Sequence, residues 1–86
     1  MGHAPRHVPK YLGVKLAKIR EQLGIKTYEE MIARLNVPEI KLNRSTISRF
    51  EKGKSEPPSV VLLRYSILSG ISINDLVDDT KSWPKS

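Results

Sequence analysis

The stretch from Asn43 to Gly53, NRSTISRFEKG, holds the side chains best suited to meeting a partner. Arg44, Ser45, Ser48, Arg49 and Lys52 surround only two large apolar residues, Ile47 and Phe50, three positions apart. In a helix that spacing turns Ile47 and Phe50 inward and leaves the Arg and Ser residues facing outward. A guanidinium offers paired N–H donors that match guanine O6 and N7 in the major groove of DNA, which is wide enough to admit a helix. Arg44 in the first turn and Arg49 about a turn and a half later lean toward one groove from neighbouring sides. Ser45 and Ser48 are short enough for close approach and still present hydroxyls to bases or phosphates. The N-terminus of such a helix favours phosphate through its free N–H groups and its dipole. Thr46 is shared between capping and contact.

Other chemistries find little material. The only histidines, His3 and His7, stand in a proline-bearing N-terminal arm, and there is no cysteine, so neither a metal site nor a disulfide is expected. No glycine-rich phosphate loop is present, and the adjacent Asp78 and Asp79 read as solvated carboxylates. The expectation is a protein that is not an enzyme and uses no cofactor. Fifteen Lys and Arg against nine Asp and Glu leave +6 on 86 residues, a field that points to a polyanionic partner. Six of the bases fall in residues 1–26, against Glu21 alone, while residues 57–86 balance. No apolar run approaches the roughly 20 residues needed to span a bilayer, and MGHAPRHVPK lacks a signal-peptide core. The chain is expected to be soluble and cytoplasmic, with no membrane partner.

These residues need a frame, and the sequence predicts an all-α one of five helices. Residues 1–9 read as a flexible basic arm, 10–78 as one domain and 79–86 as a tail. Leu12, Leu16, Ile19 and Leu23 form the apolar stripe of a first helix closed by Gly24, with Lys15, Lys18 and Glu21 placed on its other face. Thr27 and Glu30 fit a capping box for a second helix. Met31, Ile32 and Leu35 are its core face, Ala33 allows close approach, and Asn36 and Pro38 end it. Ile40 and Leu42 in the following connector tuck against the core, while Glu39 and Lys41 stay wet. Asn43 caps a third helix over about 44–52, with Gly53 suited to the left-handed turn that closes it. Val61, Leu62, Tyr65 and Leu68 mark a fourth helix up to Gly70, with Pro57 or Pro58 in its first turn. Ser72 caps a short fifth, with Asp75 at the capping-box position and Ile71, Ile73, Leu76 and Val77 as its apolar side. Trp83 is either a loose terminal aromatic or docked on the body or a partner. No alternating strand pattern and no repeat is present.

From about Leu12 to Val77 the chain resembles the phage repressor/Cro type of helix-turn-helix DNA-binding domain, also called the xenobiotic-response-element family. The resemblance rests on LAKIREQLGIKTYEEMIARL, RSTISRFEKGKSEPP and LLRYSILSGISINDLV, in that order. It implies a phage-repressor-like five-helix fold whose third helix is the recognition helix. Arg44, Ser45 and Arg49 then face base edges with Thr46 and Ser48 nearby, and Ile47 and Phe50 hold the helix to the core. Arg20 and Glu51 match an internal ion pair joining helix one to the recognition helix, and Lys52 and Lys54 match the part that follows the DNA backbone. Two departures stand out. Tyr28 occupies the position of a phosphate-contacting Gln at the start of helix two, where its hydroxyl can still reach a phosphate. The turn before helix three is elongated by about five residues, roughly PEIKL, in which Lys41 adds a phosphate contact.

The functional expectation is sequence-specific binding of double-stranded DNA by a transcriptional regulator, a repressor, paired as a homodimer through helix five and the tail. A prokaryotic or phage origin goes with it. The alternative is an antitoxin-like or other protein-interaction module of the same fold, its partner surface drawn from Tyr65, Ile73, Val77 and Trp83. Nonspecific nucleic-acid coating or RNA binding is a third reading, disfavoured because few aromatics are available for base stacking.

Overall fold

A computed structural model describes residues 9–80 and Trp83. The chain folds into five helices: α1 (Leu12–Gln22), α2 (Tyr28–Leu35), α3 (Arg44–Glu51), α4 (Ser59–Ser69) and α5 (Ile73–Val77), with no strand among the described residues. Residues 1–8 of the N-terminal arm, with His3 and His7, and all of the last residues 81–86 except Trp83, lie outside the described residues.

Local chemistry sets most helix ends. Thr27 Oγ1 accepts from the Glu30 N–H at 3.1 Å, Asn43 Oδ1 from the Thr46 N–H at 2.9 Å, and Ser72 Oγ from the Asp75 N–H at 3.1 Å. Each satisfies an amide the first turn would otherwise leave without a partner. Asn36 closes α2 in the left-handed region at φ 52°, and Gly53 follows α3 at φ 73°. Beyond Gly53 the Lys54 N–H reaches back to Arg49 O at 2.9 Å, so the chain turns sharply and keeps Lys52 and Lys54 beside α3. Pro58 stands just before α4 as its cap residue, not within its first turn.

The helices enclose one core of Leu12, Leu16, Ile19, Ile25, Met31, Leu35, Val37, Ile47, Phe50, Val61, Leu62, Tyr65, Ile71 and Leu76. Ile32, Ile40, Leu42, Leu68 and Val77 pack against it half-buried, so the connector between α2 and α3 is anchored by its apolar residues as expected. Ala33, expected at a close contact, is exposed. The close approach occurs at Gly13: a Cβ there would stand 2.5 Å from Glu51 O and 2.8 Å from Phe50 O. Only glycine lets the start of α1 lie against the backbone at the end of α3. Arg64 of α4 crosses to α2, its Nε donating to Leu35 O at 2.7 Å and so capping that helix from outside.

Lys15 corrects the sequence reading. Expected on the outer face of α1, it is fully buried. Its ammonium donates to Asp75 O at 2.6 Å, Asp78 O at 2.7 Å and Leu76 O at 3.3 Å, the carbonyls at the end of α5. Three donors meet three acceptors at the negative end of a helix. Lys15 lies three residues from Leu12 and four from Ile19, on their face of α1, so the geometry was inward and only the residue type suggested otherwise.

The described residues of the tail touch the body. The Tyr11 N–H donates to Asp79 Oδ1 at 3.3 Å, and Asp78 Oδ1 accepts from the Thr80 N–H at 2.9 Å, so these carboxylates are engaged and not merely solvated. Trp83 is half-buried against the core, with Lys18 Nζ 5.5 Å from its ring centre, which places it on its own domain.

Candidate nucleic-acid interface

α3 is held by its inner face and presents its outer one. Ile47 and Phe50 are buried, and α1 and α2 pack against the helix from behind. The outward residues Arg44, Ser45, Ser48, Arg49 and Lys52 join Lys54 and Tyr28 around one open cradle of about 600 Å³. Four cations line it and no carboxylate does. Of the nine residues predicted for the site, seven therefore meet. Thr46 does not: its hydroxyl donates to Asn43 Oδ1 at 3.0 Å, which spends it on the cap. Lys41 is exposed on the connector and lies outside the cradle.

A second, smaller cleft of about 330 Å³ adjoins the cradle and shares Tyr28 and Arg44 with it. Arg20, Lys26, Thr27 and Glu29 complete its lining. Tyr28 is the divider: its ring is half-buried against the core, with the Arg20 guanidinium 5.2 Å from its centre.

Arg20 itself is turned inward. Its Nε and Nη2 donate to Glu51 Oε2 and Oε1 at 2.7 and 3.1 Å, and Nη1 donates to Ile25 O at 3.2 Å. The side chains of the pair are only 17% and 7% exposed. This two-point bond fixes the end of α3 to α1 and the α1–α2 turn. The hydrogen bond to Glu51 holds the Arg20 pKa above its ordinary value, against the opposing cost of burial. Tyr65 of α4 is fully buried, and its hydroxyl has no hydrogen-bond partner among the described residues. Burial raises its pKa well above the usual phenol value, with the Glu51 carboxylate adding and Arg20 opposing.

Three features of the site escaped the sequence reading. Glu29 is the single carboxylate lining either cleft, and its Oε2 lies 3.1 Å from Arg44 Nε, with both side chains largely exposed at 60% and 74%. In the sequence it is one of two acids in the first turn of α2, where helix polarity already accounts for a negative charge. Lys26 sits beside it in the second cleft, and Gly13 sets how closely α1 backs α3. A glycine inside an otherwise apolar helical run was the one available signal for that approach.

Of the partner surface predicted for the protein-interaction reading, Tyr65 alone is corrected. Tyr65 is core, and Ile73 and Val77 are half-buried. Among the described residues the exposed large apolar ones are Val14, Leu63 and Ile67, on α1 and α4 and not on α5. No helix among the described residues is long and apolar enough to cross a membrane.

No protein-family model, curated protein or solved structure matches the chain.

Proposed function

We propose that this protein binds double-stranded DNA in a sequence-specific way and acts as a transcriptional regulator, with α3 in the major groove. The observation that carries the proposal is the cradle: Arg44, Arg49, Lys52 and Lys54 with Ser45, Ser48 and Tyr28, and no carboxylate among them. A helix with a polar, cationic outer row and an inner face locked into the core is what base readout requires, because flexible support would blur register. α2 and α3 then act as a phage repressor/Cro type of helix-turn-helix with a long connection. Arg44, Ser45 and Arg49 read base edges. Lys52, Lys54 and the N–H groups at the start of α3 hold phosphates, with Tyr28 and Lys41 reaching the backbone on either flank.

Repression fits this architecture best, since occluding a promoter requires nothing beyond binding. Two copies on half-sites about one helical turn apart complete the arrangement. The protein works as a binder in the cytoplasm of a prokaryotic cell and carries out no chemistry of its own. An antitoxin-like role has less to draw on, because Tyr65 of α4 is inside and Trp83 of the tail already packs on its own domain.

Selection from a random duplex library at near-physiological salt, run beside the Arg44→Ala, Arg49→Ala double variant, tests the reading. A two-fold-related motif that the variant loses, while keeping weak and salt-sensitive binding, is the expected result. Failure of the wild-type protein to enrich any motif would remove the regulator from consideration and turn attention to a protein partner.

A further inference from the structure

α4 differs from the other helices in being apolar on nearly every side. Val61, Leu62 and Tyr65 face the core and are buried. Val60 is half-buried, and Leu63 and Ile67 are 47% and 57% exposed. Positions 60, 63 and 67 follow at i, i+3 and i+7, which makes one stripe along the outer side of the helix. Arg64, the one charged residue of α4, is drawn aside to Leu35 O, and Ser59 and Ser66 flank the other edge. A helix apolar all round is a helix with something on both sides.

We propose that this stripe is where a second copy of the chain docks, α4 against α4 across a two-fold axis. Charge argues for the second copy. In a two-fold contact each residue meets its own kind or a near neighbour, so a cationic surface would be set against itself. On a chain of net charge +6, the charge-free stripe of α4 is a face where self-pairing meets no such repulsion. The spacing argues the same way, since alternating steps of three and four residues are those of a helix–helix seam. None of the stripe residues lines the cradle at α3, so both surfaces can be occupied at once.

Size sets the strength. Two exposed apolar side chains, Leu63 and Ile67, with the edge of Val60, which itself packs on the core, fall well short of the roughly 800 Å² per partner of a stable interface. Pairing in free solution is therefore weak and concentration-dependent, and it is completed when a two-fold-related duplex holds two copies side by side. That last step rests on the DNA-binding reading; the α4 contact itself does not.

The test uses the full chain. Sedimentation equilibrium over rising protein concentration is compared for the wild type and the Leu63→Lys, Ile67→Lys variant, with circular dichroism to check that the helices persist. Because the chain has no cysteine, Ile67→Cys and, as an off-stripe control, Val14→Cys are oxidised in parallel. The expected result is a mass that climbs with concentration in the wild type and not in the double-Lys variant, and a disulfide-linked dimer from Ile67→Cys alone. The double-Lys variant should still bind a duplex carrying one half-site while losing the cooperative step on two. A wild type that stays a single copy both free and on the two-site duplex overturns the proposal, as does a double-Lys variant that pairs like the wild type. If the mass dependence and its loss appear but no duplex is bound selectively, the α4 contact stands and the DNA reading falls.

Discussion

Two groups of cations in this molecule have the same chemistry and opposite fates. Lys15 and Arg20, both on α1, are turned inward: one caps the end of α5 and the other grips Glu51 of α3. Arg44 and Arg49, both on α3, are turned outward, and Glu29, the carboxylate of the adjoining cleft, touches Arg44 at an exposed site. An ion pair that water barely reaches must be complete, because removing one partner leaves a charge that solvent cannot restore. An exposed pair costs little to make or break and leaves the cation available. The net charge of the chain therefore overstates what a partner can use, and the inward cations build the platform on which the outward ones stand.

The largest effect that could break this comparison is at Glu51. Glu51→Ala strands the Arg20 guanidinium and unties α3 from α1, and should cost about 3 kcal/mol in urea unfolding. A loss no greater than that of an exposed pair would move Arg20 into the outward group. Lys15→Met keeps the side-chain volume but leaves the carbonyls at the end of α5 without their donor, so a loss of about 2 kcal/mol is expected. Its salt dependence of duplex binding should match the wild type, since this cation is not offered to a partner.

Arg44→Ala and Arg49→Ala should behave in the opposite sense. Each leaves stability within about 0.5 kcal/mol of wild type, as expected for exposed positions. Each lowers the ratio of selected-duplex to random-duplex affinity by about tenfold or more, the worth of one bidentate base contact. Unchanged ratios for both would mean that α3 is not the reading helix.

Tyr65 sharpens the comparison from beneath the Arg20–Glu51 pair. Its hydroxyl is buried with no hydrogen-bond partner among the described residues, and burial raises its pKa above the ordinary phenol value of about 10. The folded chain thus keeps a proton that the unfolded chain gives up. Its contribution is whole below about pH 10 and is lost as pH rises through the folded value. Tyr65→Phe removes the unsatisfied group, so neutral-pH stability should hold or rise by up to about 1 kcal/mol, and the alkaline unfolding midpoint should move upward. A clear destabilisation on thermal melting would show that the hydroxyl has a partner after all.

The smallest effect is expected at Glu29. Glu29→Gln releases Arg44 and removes a negative charge from the edge of the cradle, so random-duplex affinity should rise by a few-fold with stability unchanged. Glu30→Gln, the same charge change one residue on and outside both clefts, is the control; an equal rise there would reduce the effect to net charge.

Local signals along the chain were enough for the five helices, three side-chain caps and the two faces of α3. Thr27, Asn43, Ser72, Gly53 and Gly70 act within a turn of chain, and Ile47 and Phe50 point inward by helical spacing alone, so no distant contact is needed to place them. Seven side chains of the cradle were legible for the same reason, since most lie on or next to one short helix. The Arg20–Glu51 pair was legible only through the family resemblance, because it joins residues 31 apart. Lys15 was misread because its partners lie 60 or more residues away, and a lysine's type points to water until a helix end arrives to receive it. Gly13 against the end of α3, Glu29 beside Arg44 and the burial of the Tyr65 hydroxyl likewise depend on which helices meet and how closely. Periodicity and capping are local forces and can be read along the chain; the environment of a charge is set by its neighbours in space, and only the packed helices supply them.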